Sequence, residues 1–246
     1  MTMMRRAPRV LARSAVLAVV AGFVPLVATP SYGNAIPSGY RLIADAGSAA
    51  SEGTIFTSHD DVTGSREIVR RDQDGSTSVV EPNGYDPEVS PDGQWLVFKR
   101  GTDSNTDHGD ALYTQQLAVG PTSDTLLVSN SDYIVSYDIS PDSTKVLYDQ
   151  TCDLYITNID STGSPTDLGQ LGAGCYADSP AYDPADPTKL AYDVSSDSGH
   201  GIFIYNTMTS TSTLLAGTGA GDFDPEWSAD GSKIAYSHLG AQIGST

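Results

Sequence analysis

The chain has 246 residues, 39% of them hydrophobic, with 13 Lys and Arg against 31 Asp and Glu and a net charge of −18. That balance excludes a nucleic-acid binder, because phosphate contacts need clustered basic side chains. The apolar content supports a folded core despite 24 Gly and 14 Pro, and two Cys are too few for a disulfide-framework fold and lack zinc-ligand spacing. By length alone the chain holds one or two domains.

The N-terminus separates basic from apolar residues. Arg5, Arg6, Arg9 and Arg13 precede Ala15 to Ala28, an uncharged apolar run, and Gly33-Asn34-Ala35 puts small residues at −3 and −1 of a cleavage site. This is the layout of a secretory signal peptide over residues 1–35. A membrane anchor is the competing reading. The apolar run contains Pro25 and spans only about 21 Å as helix, against a hydrocarbon core of roughly 30 Å. No Cys follows it, which argues against a lipid anchor. Pro8 and Arg9 stand where a twin-arginine signal has a hydrophobic pair. The mature chain, 36–246, is expected to be secreted, periplasmic or at the cell envelope, with no membrane span and in an oxidising compartment. Without the four arginines, 9 basic groups face 31 acids over 211 residues, a net of −22.

Strands follow in chain order. GYRLIADA (39–46) is left open as a first strand, and GTIFTSHD (53–60) reads as the second strand of an early repeat. EIVRRD (67–72) and STSVV (76–80) follow it. Then four segments align: PEVSPDGQWLVFKR (87–100), YDISPDSTKVLYDQ (137–150), PAYDPADPTKLAYDV (180–194) and PEWSADGSKIAYSH (225–238). Anchored at Ser90, Ser140, Asp183 and Ser228, they step by 50, 43 and 45 residues, the period of a four-stranded propeller blade.

The residue before the anchor is Val89, Ile139, Tyr182 or Trp227, always large and apolar. The one before that is Glu88, Asp138, Ala181 or Glu226, mostly acidic. Such alternation gives a strand, A, with two unlike faces. Ser-Pro-Asp-Gly then reverses the chain, and WLVF, KVLY, KLAY and KIAY supply strand B. ALYTQQL (111–117), DLYITNI (153–159) and GIFIYNT (201–207) read as strand C; DTLLVS (124–129), TDLGQL (166–171) and STLLAG (212–217) read as strand D.

The SPDG turn followed by an apolar strand resembles the TolB-type, WD-like β-propeller repeat, over roughly residues 53–238. The resemblance implies an all-β propeller of four-stranded blades, about four to five of them, occupying 36–246. Such rings close with four to eight blades or more, whereas strands B–D, three full blades and then only strands A and B are legible, so an incomplete or open ring, a truncated member of a larger family, is the expectation. A compact ring completed by its own terminal segments is the alternative.

Propeller topology of this kind puts the B–C and D–A connections on one face. Cys152 and Cys175 then fall on that face of one blade, and an exported protein with two Cys is expected to join them. Closing that loop contributes about 3 kcal/mol in the chain-entropy picture. Asp86, Glu88, Asp138, Asp224 and Glu226 lie on strand A, which lines the central channel, and form a candidate ligand or cation face; solvated surface acids are the plainer reading. Asp103, Asn105, Asp107 and Asp110 alternate oxygen ligands as calcium loops do. His108 replaces the glycine such loops need, and the twelfth-position glutamate is missing, so calcium stays the minor reading and no other cofactor is implied. His59, His108, His200 and His238 all map to B–C regions, too far apart on successive blades for one zinc.

No Gly-x-Ser-x-Gly elbow, Walker loop or His-Glu-x-x-His occurs in the chain. The resemblance therefore implies an exported, non-catalytic module binding a protein or peptide, with basic partners favoured by the acidic surface. The alternative is the propeller of a prolyl-oligopeptidase-like serine peptidase without its catalytic domain. A propeller lyase or glycan binder is a third reading; it needs paired acids beside an aromatic platform, for which Tyr85, Tyr182, Phe223 and Trp227 are available.

Overall fold

The alternation read from the sequence becomes strands throughout the computed structural model, which describes residues 41–42, 54–59, 66–72, 74–101, 111–129, 134, 136–151, 153–169, 171, 177–196 and 199–239. For 41–42, 54–59, 195–196 and 199–200 only the backbone is described. The chain divides into the units Met1–Ile36 and Pro37–Thr246. All described residues belong to the second.

Four antiparallel four-stranded sheets and one two-stranded sheet follow one another in chain order. Blade I is β1 (Arg41–Leu42), β2 (Thr54–His59), β3 (Arg66–Arg71) and β4 (Thr77–Glu81). Blade II is β5 (Tyr85–Val89), β6 (Trp95–Arg100), β7 (Ala111–Gln116) and β8 (Thr125–Val128), with a 3-10 turn at Pro121–Ser123. Blade III is β9 (Tyr137–Ile139), β10 (Lys145–Gln150), β11 (Asp153–Asn158) and β12 (Thr166–Asp167). Blade IV is β13 (Ala177–Asp183), β14 (Asp186–Ser196), β15 (Gly199–Asn206) and β16 (Thr211–Leu214). Blade V holds β17 (Asp222–Trp227) and β18 (Ile234–His238) among the described residues. The first strand left open by the sequence is β1, which pairs with β2 through Arg41↔Thr57 and Leu42↔Phe56.

The turn between strands A and B is built from its own side chains. Ser90 Oγ donates to Asp92 Oδ1 at 2.6 Å and accepts from the Trp95 amide at 3.0 Å, while Asp92 Oδ1 also accepts from the Gln94 amide. Ser140 with Asp142 and Ser228 with Asp230 repeat the pattern. Gly93 and Gly231 take positive φ in these turns, where glycine carries no Cβ penalty.

In blades II, III and IV the middle of strand B is buried on both faces, which fits its unbroken apolar reading, whereas β18 of blade V is exposed. Alternate residues of the buried copies enter different cores. Leu96 and Phe98 pack with Ile68 of blade I, whereas Val97 packs with Ile139, Val146 and Tyr148 of blade III. Leu147 turns the other way, towards Tyr182, Leu190 and Tyr192 of blade IV. Each core thus lies between two consecutive blades. Cross-strand aromatic pairs brace the B–C ladders: Phe98 stacks on Tyr113 at 5.8 Å, Tyr148 on Tyr155 at 5.5 Å and Tyr192 on Phe203 at 5.7 Å. Among the described residues no helix is long and apolar enough to cross a membrane.

Candidate functional site

Two of the strand-A acids, Glu88 and Asp138, are joints between blades, while Glu226 is exposed. Glu88 Oε1 in blade II accepts the Ile139 amide of blade III at 3.1 Å. Asp138 Oδ2 in blade III accepts the Tyr182 amide of blade IV at 2.6 Å. The acid two before the anchor therefore receives the amide one before the anchor in the next blade. Blade IV has Ala181 at the acid position; there the joint is an indole bond, with Trp227 Nε1 donating to the Ala181 carbonyl at 3.3 Å.

A second ring of joints sits four residues before the anchor, at Asp86, Ser136, Ser179 and Asp224. Asp86, Ser179 and Asp224 take positive φ, and at each the strand A–strand B register slips. These bulges aim side chains at strand B and at the next blade. Asp86 pairs with Lys99 Nζ at 2.9 Å, and Asp149 Oδ1 accepts the Ser136 amide at 2.6 Å. Ser136 Oγ accepts the Ser179 amide at 3.0 Å, and Ser179 Oγ donates to Asp224 Oδ1 at 2.8 Å. Beside these lies Asp193, 4% exposed. Burial, and then the charges of Asp178 and Asp224, push its carboxyl up to about 8. Among the described residues no three His, Cys, Asp or Glu side chains stand at metal-holding spacing.

The described residues of blades I and II frame an open cleft of about 580 Å³. Glu81, the last residue of β4, enters it 1% exposed. Arg100, at the end of β6, lies across the blade II sheet with its guanidinium 4.4 Å from the Tyr113 ring centre and 5.2 Å from that of Phe98. Its Nη2 meets Glu81 Oε1 at 2.8 Å and Asp124 Oδ2 at 2.6 Å. Burial, and contact with the Glu81 carboxylate, hold the Asp124 carboxyl above its ordinary range despite Arg100. Glu81 Oε2, Asp124 Oδ1 and Arg100 Nε are buried with no hydrogen-bond partner among the described residues. Pro82, Pro121 and Leu126 supply apolar wall. Two contacting carboxylates and one guanidinium leave one negative charge in excess at an aromatic wall.

The sequence reading missed this cleft. Its signal is a break in the repeat: Arg100 stands where the later blades carry Gln150, Val194 and His238. Of the other expected sites, Cys152, Cys175 and the loop of Asp103, Asn105, Asp107 and Asp110 lie outside the described residues, as do the side chains of His59, His108 and His200. The fourth histidine, His238, pairs its Nδ1 with Asp222 Oδ1 at 2.7 Å. Phe223 and Trp227 belong to β17, and Tyr182 is buried in the core between blades III and IV.

Neither a protein-family profile nor a curated protein matches the chain. Solved structures do. TolB from Acinetobacter baumannii superposes with a TM-score of 0.56 at 18% identity, over 74% of this chain and 45% of that one. A protein described as TolB from Agrobacterium tumefaciens gives 0.58 at 22% identity, over 78% and 68%. An oligogalacturonate lyase from Vibrio parahaemolyticus gives 0.59 at 15% identity, over 78% and 57%. The chain thus spans less than half the length of the first of these proteins. At such identities the likeness is one of fold, and it agrees with the repeats: the described residues form β-propeller blades similar to those of TolB, four of four strands and a fifth of two.

Proposed function

We propose that the mature chain is an exported, non-catalytic binding module whose partner is a protein or peptide carrying basic groups. The observation that carries this reading is electrostatic. A net charge of −18 on the whole chain is accompanied by a cleft with two carboxylates to one guanidinium. Such a field concentrates cations and speeds their association. The inter-blade joints supply the rigid frame that a binding surface needs. The arginine-rich, then apolar, N-terminus supports export.

The likeness to an oligogalacturonate lyase favours a second reading, cleavage of a polyuronate. A polyanion would meet repulsion from the same charge, so this reading ranks second. One experiment addresses both. Cells expressing the full chain are fractionated and the mature N-terminus is determined by mass spectrometry, expected at Ile36 outside the cytoplasm. The purified product is then incubated with oligogalacturonate and followed for unsaturated uronate. No product supports the binding module; steady product formation would replace it with the lyase. Retention of residues 1–35 on a cytoplasmic protein would remove export.

A further inference from the structure

The cleft between the end of β4 and blade II carries one buried charged side chain, Glu81, and two half-buried ones, Arg100 and Asp124, whose bonding is incomplete. Glu81 is the decisive one. Its side chain is 1% exposed, one oxygen is held by Arg100, and the other has no partner among the described residues. A buried carboxylate oxygen left without a donor carries the full desolvation cost, commonly relieved by a donor from outside. Asp124 Oδ1 is in the same position. Both carboxylates are in contact, so Arg100 neutralises only one charge of the two.

The missing component must therefore donate hydrogen bonds, carry one positive charge and be slim enough to pass apolar walls. We propose that this cleft binds an alkylammonium group, its N–H donors on Glu81 Oε2 and Asp124 Oδ1 and its methylene stem along Pro82, Pro121 and Leu126. An ammonium has three donors and no acceptor, which matches two open carboxylate oxygens. Its charge brings Glu81, Asp124 and Arg100 to neutrality. A guanidinium would repeat Arg100 and compete for the same oxygens. A neutral sugar leaves the excess charge uncompensated. The group comes from a lysine side chain of a partner or from a free alkyl diamine. The inference rests on the basic-partner reading and gives it an address.

The test is calorimetric titration of residues 36–246 with three probes: a short peptide containing one lysine and capped at both ends, the same peptide with norleucine in its place, and pentane-1,5-diamine. The lysine peptide is expected to bind and the norleucine peptide not to; equal affinity for the two overturns the proposal. Diamine binding without peptide binding assigns the cleft to a free amine. Glu81→Gln and Asp124→Asn are each expected to weaken the bound probe about tenfold or more, the loss of a charge-assisted bond. Unchanged affinity in folded variants overturns the site. Where a variant does not fold, the wild-type chain still decides. Oligolysine that binds the wild-type chain and Glu81→Gln equally sinks the cleft and spares the basic-partner reading. Oligolysine that does not bind at all sinks both.

Discussion

At the scale of single residues, carboxylates do opposite work according to surroundings. Asp230 is solvent-facing, and the hydroxyls of Ser228 and Ser232 hold its carboxyl down at about 2. Asp193 is buried beside Asp178 and Asp224 and titrates near 8. A raised folded-state pKa means that folding favours the protonated form. The resulting stability is complete below the ordinary carboxylate range and is lost as pH rises towards about 8. Urea unfolding between about pH 4 and pH 8 should therefore show a downward slope that Asp193→Asn flattens, with the variant the more stable at the upper end. A slope unchanged by Asp193→Asn would remove this assignment. Ser143 makes a different point. It stands where the turn of blade II has Gly93 and takes φ near 60°, an uncommon state for a residue with a Cβ. Its Oγ accepts the Asp92 amide at 3.0 Å, so the costly conformation is offset by a bond between two blades.

At the scale of elements, the strand-A acid explains a pattern that the sequence displays without its reason. Acid followed by apolar residue was legible as alternation, because the period of a strand is local. The purpose was not legible, because the acid's partner is a backbone amide some 44 to 51 residues further on. Asp138→Ala removes the acceptor of the Tyr182 amide and should cost about 1–3 kcal/mol, the range for a buried donor left unsatisfied. Asp138→Asn keeps an acceptor oxygen and should cost less. Hydrogen exchange locates the effect: the Tyr182 amide should lose protection in Asp138→Ala while strand B of blade II keeps its own. Uniform loss in every blade would mean that the substitution acts on something other than this joint.

At the scale of the whole molecule, the repeat made the fold readable. Four in-phase turns gave the blade period, and the strand B copies of blades II and III read as unbroken apolar runs because each sits between two cores. The cleft was unreadable for the converse reason. Glu81, Arg100 and Asp124 are 19 and 24 residues apart, belong to no repeating pattern, and converge only when blade II packs against the end of β4. The cleft is such a departure from the repeat, and charge is the feature that ranks its candidate partners. The direct measurement is the affinity of residues 36–246 for an oligolysine peptide and for oligogalacturonate, each across a salt series. For a module with a basic partner, oligolysine is expected to bind and to weaken steadily as salt rises, with no binding of the uronate. Uronate binding together with indifference to oligolysine would contradict it.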